Sequence, residues 1–361
     1  MGTVGIRCGS EPNDQAGRLR GCLSPSSDRR LLELRSGPDG LIMDAAEVKA
    51  RLEKALSPGY WESLAPLANV CRSRAQDKLS PVGHEIEIRS ALDAMKGEGW
   101  FRLEGFFPRQ QVRNMAECVI ALERAGWLPT YILVFDEFWN LIRGQAFAQL
   151  LAKMIGFQYV EKVAAWVHLI EATGIARGWT PHIDARVEEG PVLHADGTPR
   201  LLSVWIALSD ATVDNGCMYL IPADRIAPDE YMTHSSWQVL QSVQAVPLNA
   251  GGIAAWRQDL LHWGSFSSVR ARGPRISIAL EFQSATENGN QMYPLIDGGY
   301  IPSTLEERLY FISRQVLSYF GRLESERASD DHVAVAEALS LSLEDHGRNW
   351  VRGQPEPIPN A

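Results

Sequence analysis

His182-Ile183-Asp184, with His262 and Arg275 far downstream, is the group of residues in this chain best suited to chemistry. Two imidazoles and one carboxylate on one side of a metal make a 2-His-1-carboxylate facial triad, which leaves the opposite side open for substrate and oxygen. Successive side chains of a β-strand point to opposite faces, so His182 and Asp184 are expected to project together while Ile183 points away. The third ligand must then come from a distant strand folded back alongside. Leu260-Leu261-His262-Trp263 is short, apolar and bounded by turn-forming residues, as such a strand should be.

Arg275 supplies what a metal triad lacks. Its guanidinium is a planar fork that pairs bidentately with a carboxylate, so an arginine on the strand after the distal histidine can hold the far end of a dicarboxylate. In Arg275-Ile276-Ser277-Ile278-Ala279-Leu280, positions 275, 277 and 279 share one face, and Ser277 is expected to add a hydroxyl beside the guanidinium. A dicarboxylate that chelates iron at one end and meets arginine at the other is 2-oxoglutarate.

The stretch between the two metal-ligand segments is distinctive. The run LLSVWIALSDATVDNGCMYLIPADR (Leu201 to Arg225), set between the HID triplet and HWGS (His262 to Ser265), resembles the phytanoyl-CoA dioxygenase family of Fe(II)/2-oxoglutarate oxygenases. That family carries H-x-D, then W-x-A-L-x-D-A, N-G-C/A and I-P, then the distal histidine and a cosubstrate arginine. GEGWFRLEGFFPRQQVRNMAECV (Gly97 to Val119) is similar to its opening strand and helix, and the resemblance covers roughly Leu92 to Phe282. Many relatives have glutamine where Ile183 stands, and Pro-Gly-Ser-His where this chain reads Pro222-Ala223-Asp224-Arg225, so no substrate contact is carried over from that loop.

The resemblance implies Fe(II) on His182, Asp184 and His262, 2-oxoglutarate on Arg275, and Trp205 of the W-x-A-L motif near that cosubstrate. It implies O2-dependent decarboxylation of 2-oxoglutarate to succinate and CO2, with hydroxylation of an aliphatic C–H of a small-molecule or acyl substrate as the default outcome. Asp184 argues against the halogenase branch, in which a small residue stands at that position. Desaturation, epoxidation and ring formation use the same ligands and stay open. The family spans acyl-CoAs, amino-acid derivatives, alkaloids, terpenoids and polyketides, so its name does not identify the substrate.

Two other functional classes compete on the sequence alone. One is a non-catalytic jelly-roll module that binds a metal or small molecule; it would need neither Arg275 nor Ser277. The other is a cupin-type Zn or Mn enzyme without 2-oxoglutarate, for which more histidine ligands are expected. His168, in the alternating Trp166-Val167-His168-Leu169, reads as a half-buried strand histidine rather than a substrate contact. His194 begins a second H-x-D, but Asp196-Gly197 marks a turn and the segment reads as a hairpin tip. His84, His234, His332 and His346 have no partner at ligand spacing.

Composition describes a protein rich enough in apolar residues for a large core. A net charge of −9 argues against a nucleic-acid groove, because phosphate binding needs a basic surface. Five cysteines, Cys8, Cys22, Cys71, Cys118 and Cys217, are odd in number and form no C-x-x-C pair, as expected of reduced thiols. No stretch is apolar enough for a membrane span, and no hydrophobic leader is seen, so a cytoplasmic monomer or homodimer is expected.

Residues 1–42 are rich in Gly, Ser, Pro, Arg and Asp and are expected to form a disordered extension. A single oxygenase domain is expected over 43–350, with 351–361 a flexible tail. Within it, helical support is expected over 43–157 with one strand near Trp100 to Leu103, a jelly-roll core over 158–285, and C-terminal helices over 303–345. Asp44 with Glu47 reads as a capped helix start, as does Ser303-Thr304-Leu305-Glu306. Leu305, Leu309, Ile312, Val316 and Phe320 form an apolar stripe ending at Gly321, and a second helix is expected from about Asp331 to Leu343. Helices followed by strands indicate an α+β fold in which helices buttress a double-stranded β-helix, or jelly roll.

Overall fold

A computed structural model describes residues 43–72, 85–156, 158–185, 191–284, 295–319, 329–346 and 351–352. The expectations for residues 1–42 and for 353–361, and those for His84, Phe320 and Gly321, lie outside these residues. Helices α1 (Ala45–Ala55), α2 (Pro58–Leu64) and α3 (Glu85–Gly97) lead into β1 (Trp100–Leu103). Helices α4 (Arg109–Arg124), α5 (Asp136–Ile142) and α6 (Gln145–Ile155) follow. Asp44 caps α1 as its sequence predicts: its carboxylate accepts from the Glu47 amide, and Glu47 reaches back to the Asp44 amide.

Strands then dominate, as β2 (Tyr159–Ile170), β3 (Leu201–Ala207), β4 (Met218–Leu220), β5 (Gln244–Val246), β6 (Ile253–Arg257), β7 (His262–Gly264), β8 (Arg275–Ser284) and β9 (Leu295–Asp297). A short helix, α7 (Ser236–Ser242), lies between β4 and β5. With β10 (Val351–Arg352), the described strands form a seven-stranded antiparallel sheet in the order β1-β6-β3-β8-β2-β9-β10 and a three-stranded sheet in the order β5-β4-β7.

The period of two along the central strands sorts their side chains into two cores. Leu202, Val204 and Ile206 of β3, with Ile276, Ile278, Leu280 and Phe282 of β8, join the helices in one large apolar cluster. Trp205 and Ala207 of β3, with Ala254 and Trp256 of β6, pack instead against Leu220 and Val246 of the small sheet. Every residue of β3 is therefore buried, and an almost uninterrupted apolar run is the sequence that such a position requires.

One sequence expectation shifts by a residue. Helix α8 (Leu305–Tyr319) begins after Thr304, whose hydroxyl accepts from the Glu307 amide, so the cap is Thr304 with Glu307 rather than Ser303 with Glu306. The reason is local competition: Glu307 accepts from the Ser303 and Thr304 amides, and one carboxylate satisfies both. Helix α9 (Asp330–Ser342) lies where expected, and its Ala334 and Ala338 pack on Val48 of α1. Leu305, Leu309, Ile312 and Val316 are all buried, so the C-terminal helices serve core packing.

Candidate active site

The open face of β3 and β8 meets the small sheet around a cavity of about 210 Å³. His182 and Asp184 reach it from a segment that forms only an isolated bridge with His262, not the regular strand that the H-x-D spacing suggests. Pro181 precedes the triplet and has no amide to give to a ladder. Backbone bonds still fix the triplet in place: His182 and His262 exchange amide–carbonyl bonds of 3.0 Å, and the Asp184 and Ala185 amides both donate to the Gln258 carbonyl. Ile183 is 48% exposed and lines the cavity at its rim.

One ligand atom from each of His182, Asp184 and His262 falls within 4.8 Å of the others. His182 Nε2 lies 3.4 Å from Asp184 Oδ1, and His262 Nε2 lies 3.5 Å from Asp184 Oδ2. Nδ1 of His182 meets the Thr180 carbonyl at 2.6 Å, and Nδ1 of His262 meets the Leu260 carbonyl at 3.0 Å. A carbonyl only accepts, so both Nδ1 atoms carry the proton and both Nε2 lone pairs face Asp184. That is the donor set a divalent metal takes.

Electrostatics agree with the geometry. Burial alone would raise the Asp184 carboxyl, but the two histidines and a hydrogen bond from Ser203 hold it far below the usual carboxylate range. Burial disfavours the charged form of both imidazoles. At His262 burial wins and the group is depressed; at His182 the Asp184 contact outweighs burial and raises it. Ser203 Oγ donates to Asp184 Oδ2 at 2.6 Å from the neighbouring strand, which fixes the carboxylate rotamer.

Arg275 closes one end of the cavity and is only 1% exposed. Its Nη1 donates to Ser277 Oγ at 2.6 Å, and its Cζ stands 5.6 Å over the Trp205 ring. No carboxylate among the described residues pairs with it, and Arg275 Nε and Trp205 Nε1 are buried without a hydrogen-bond partner. Burial pushes the guanidinium down to about 10. A buried cation and two orphaned donors at one end of a cavity are the complement of a carboxylate ligand. Gly178 and Gly264 face each other beside this arginine; a Cβ on Gly178 would lie 2.8 Å from Gly264 Cα and 3.0 Å from Arg275 Nη2.

The sequence profile of the Phytanoyl-CoA dioxygenase (PhyH) family matches residues 96–270. This part of the chain belongs to the phytanoyl-CoA dioxygenase family. The protein is accordingly an Fe(II)- and 2-oxoglutarate-dependent oxygenase, and the donor set and the unpartnered cation fit both groups. No curated protein matches the sequence. Among solved structures, AviO1 from Streptomyces viridochromogenes Tue57 is 19% identical, with a TM-score of 0.45 over 56% of this chain and 97% of its own. HygX from Streptomyces hygroscopicus, solved with nickel and 2-oxoglutarate bound, is 10% identical, with a TM-score of 0.43 over 55% of this chain and 87% of its own. SnoN, a non-haem α-ketoglutarate-dependent epimerase from nogalamycin biosynthesis, is 17% identical, with a TM-score of 0.42 over 55% of this chain and 84% of its own.

The N-G element of the family has a visible task here. Asn215 accepts from the Thr212 amide and donates to the Asp210 carbonyl, and Gly216 adopts φ +87° with Ser265 O only 2.8 Å from where a Cβ would stand. That close approach seats β4 against β7, and so places His262. Of the residues singled out by sequence, His182, Asp184, His262, Arg275 and Trp205 line one cavity. Ser277 does not line it: it is fully buried behind Arg275 and orients the guanidinium. His168 is the half-buried strand histidine that its sequence suggests: it stands opposite Ser277 on β2 and accepts from Trp179 Nε1 at 3.1 Å, and it also lines the cavity. His194 sits in a turn in which Asp196 accepts from the Thr198 amide, as expected. Sequence reasoning missed Ser203, Gly178, Lys162 and Glu281. Only the position of Ser203 two residues before Trp205, and of Glu281 on the Arg275 face of β8, offered a signal.

Proposed function

We propose that His182 Nε2, Asp184 and His262 Nε2 hold Fe(II), and that Arg275, with Trp205, receives the distal carboxylate of 2-oxoglutarate while Ser277 fixes the guanidinium. The observation that carries this reading is the pair of Nδ1–carbonyl contacts, which commit both Nε2 lone pairs to the space beside Asp184. When bound, iron and 2-oxoglutarate couple O2 reduction to release of succinate and CO2 and oxidise a substrate C–H bond. The chain's own contribution is placement. Ser203 keeps Asp184 turned toward the histidines, and Trp179 packs beside His182, with ring centroids 6.0 Å apart. Hydroxylation of an aliphatic C–H in a small-molecule substrate is the reaction we assign, on a jelly-roll core within one domain spanning 43–350. A net charge of −9 supports a small molecule rather than a nucleic acid. Among the described residues, no helix is long and apolar enough to cross a membrane.

The test is anaerobic reconstitution with Fe(II) and 2-oxoglutarate. Wild type and His194→Ala should both develop the visible charge-transfer band of a chelated cosubstrate, whereas Asp184→Ala should bind iron weakly, show no band and release no succinate. If Asp184→Ala keeps its iron and turnover while His194→Ala loses both, the metal belongs to the other H-x-D.

A further inference from the structure

The cavity has a second polar end, one that neither the metal triad nor Arg275 uses. Along the open face of β8, Arg275 and Ser277 are followed by Ala279 and Glu281. Register places Ser203 of β3 opposite Glu281 on one side and opposite Trp256 of β6 on the other, so Trp256, Ser203 and Glu281 form a row across three strands. Ser203 is the residue that holds Asp184, and Trp256 packs on His262 with ring centroids 4.7 Å apart. The row therefore runs beside the triad.

Its hydrogen-bonding capacity is unevenly used. Glu281 Oε2 takes two donors, Lys162 Nζ at 3.2 Å and Gln258 Nε2 at 3.2 Å, and Lys162 also meets Gln258 Oε1 at 3.1 Å. Oε1 takes only a long bond from Trp166 Nε1 at 3.4 Å, although a carboxylate oxygen has room for two. Trp256 is 2% exposed and lines the cavity, and its Nε1 has no partner among the described residues. One end of the row offers an under-used acceptor and the other an unused donor. They stand two strand spacings apart, about 10 Å at the backbone. Trp166 and Trp179, edge to face with centroids 5.5 Å apart, also line the cavity and supply an apolar surface.

We propose that Glu281 and Trp256 form the substrate-recognition subsite of this oxygenase, and that it takes a polyhydroxylated small molecule. One substrate hydroxyl donates to Glu281 Oε1, another oxygen accepts from Trp256 Nε1, and the ring C–H faces rest on Trp166 and Trp179. A hydroxyl both donates and accepts, so a ligand carrying several can meet the acceptor at one end of the row and the donor at the other. An alkyl or acyl chain would leave the Trp256 N–H without an acceptor in a buried setting, where an unmade hydrogen bond is costly, and would leave the spare capacity of Glu281 Oε1 unused. An ammonium is the wrong complement as well, because Lys162, with its side chain 3% exposed, already balances the Glu281 charge. This inference rests on the oxygenase reading above and adds the substrate class to it.

The test uses the full chain with Fe(II) and 2-oxoglutarate under nitrogen, and reads binding of three probes by calorimetry: methyl α-glucopyranoside, cyclohexylamine and octanoate. The wild-type visible band is recorded first. Its absence would count against the oxygenase reading, while its presence leaves the subsite to be judged on the probes alone. We expect the glucoside to bind best, and its dissociation constant to rise about tenfold in both Glu281→Gln and Trp256→Phe, with octanoate changing less than twofold. Trp256→Phe removes the N–H together with part of the indole while leaving an aromatic ring beside His262, so it decides the matter if Glu281→Gln disturbs folding through Lys162. Tighter binding of octanoate or cyclohexylamine than of the glucoside, no glucoside binding, or equal glucoside affinity in wild type and Trp256→Phe would each overturn the proposal.

Discussion

Replacing Arg275 by methionine should make the protein more stable without cosubstrate and less stable with it. Methionine replaces the aliphatic stem of the arginine with flexible apolar atoms and carries no charge. The burial that pushes the guanidinium down to about 10 represents roughly 3 kcal/mol of unfavourable desolvation. That cost acts at every pH below about 10, where the group is charged both folded and unfolded, and fades only as pH rises through that value. Against it stand one hydrogen bond to Ser277 and the contact with Trp205, each worth about 1 kcal/mol. The balance favours Arg275→Met by about 1 kcal/mol, a rise of about 2 °C in Tm for a domain of this size. With Fe(II) present under nitrogen, 2-oxoglutarate at a hundred times its Kd should stabilise wild type by about 2.7 kcal/mol, and the variant not at all. Scanning calorimetry of both proteins with and without 2-oxoglutarate should therefore show the order of Tm values reversing. The reasoning fails if the variant is destabilised by more than about 2 kcal/mol in the absence of 2-oxoglutarate, or if 2-oxoglutarate raises the Tm of both proteins equally.

Further predictions concern the supports of the site. Ser203→Ala removes the 2.6 Å bond to Asp184, so iron affinity should fall about tenfold, measured by metal titration against a competing chelator. Gly178→Ala places a methyl 2.8 Å from Gly264 Cα, and should raise the 2-oxoglutarate requirement with iron content unchanged; Gly97→Ala, with nothing within 4 Å, should alter neither. Arg275→Lys keeps the charge but loses the fork and should likewise weaken 2-oxoglutarate binding alone, so equal affinity would remove Arg275 from that role. A protein starting at Met43 should melt and turn over like the full chain, and a large loss of either would show that residues 1–42 contribute to the fold.

How much of this was legible in the sequence depends on how local each signal is. The alternation of Arg275, Ile276, Ser277 and Ile278 already tells which side chains share a face, because the pleat of a strand has a period of two whatever surrounds it. The Asp44 cap was equally readable, since it involves neighbours in the chain. The triad could be named because two ligands sit at short spacing and the third lies in an ordered series of motifs. The sequence could not tell that His182-Ile183-Asp184 is pinned by a single bridge and by the Gln258 carbonyl, since those bonds join segments remote in the chain.

The residues that support the ligands are a tertiary matter. Ser203, Glu281 and Trp256 are unremarkable members of three strands, and they become neighbours only through the pairing of β3 with β8 and with β6. His168 reads as an ordinary strand residue until β2 pairs with β8 and turns it toward the cavity. The chain by itself determined the candidate metal donors, the arginine proposed for the cosubstrate and the succession of helices and strands, because local periodicity and ordered motifs encode them. Tertiary structure alone decided what surrounds them: that Arg275 is buried with no carboxylate beside it among the described residues, and that the cavity has a second polar end. Both depend on which strands lie side by side, and burial is a property of the assembled sheet rather than of any one segment.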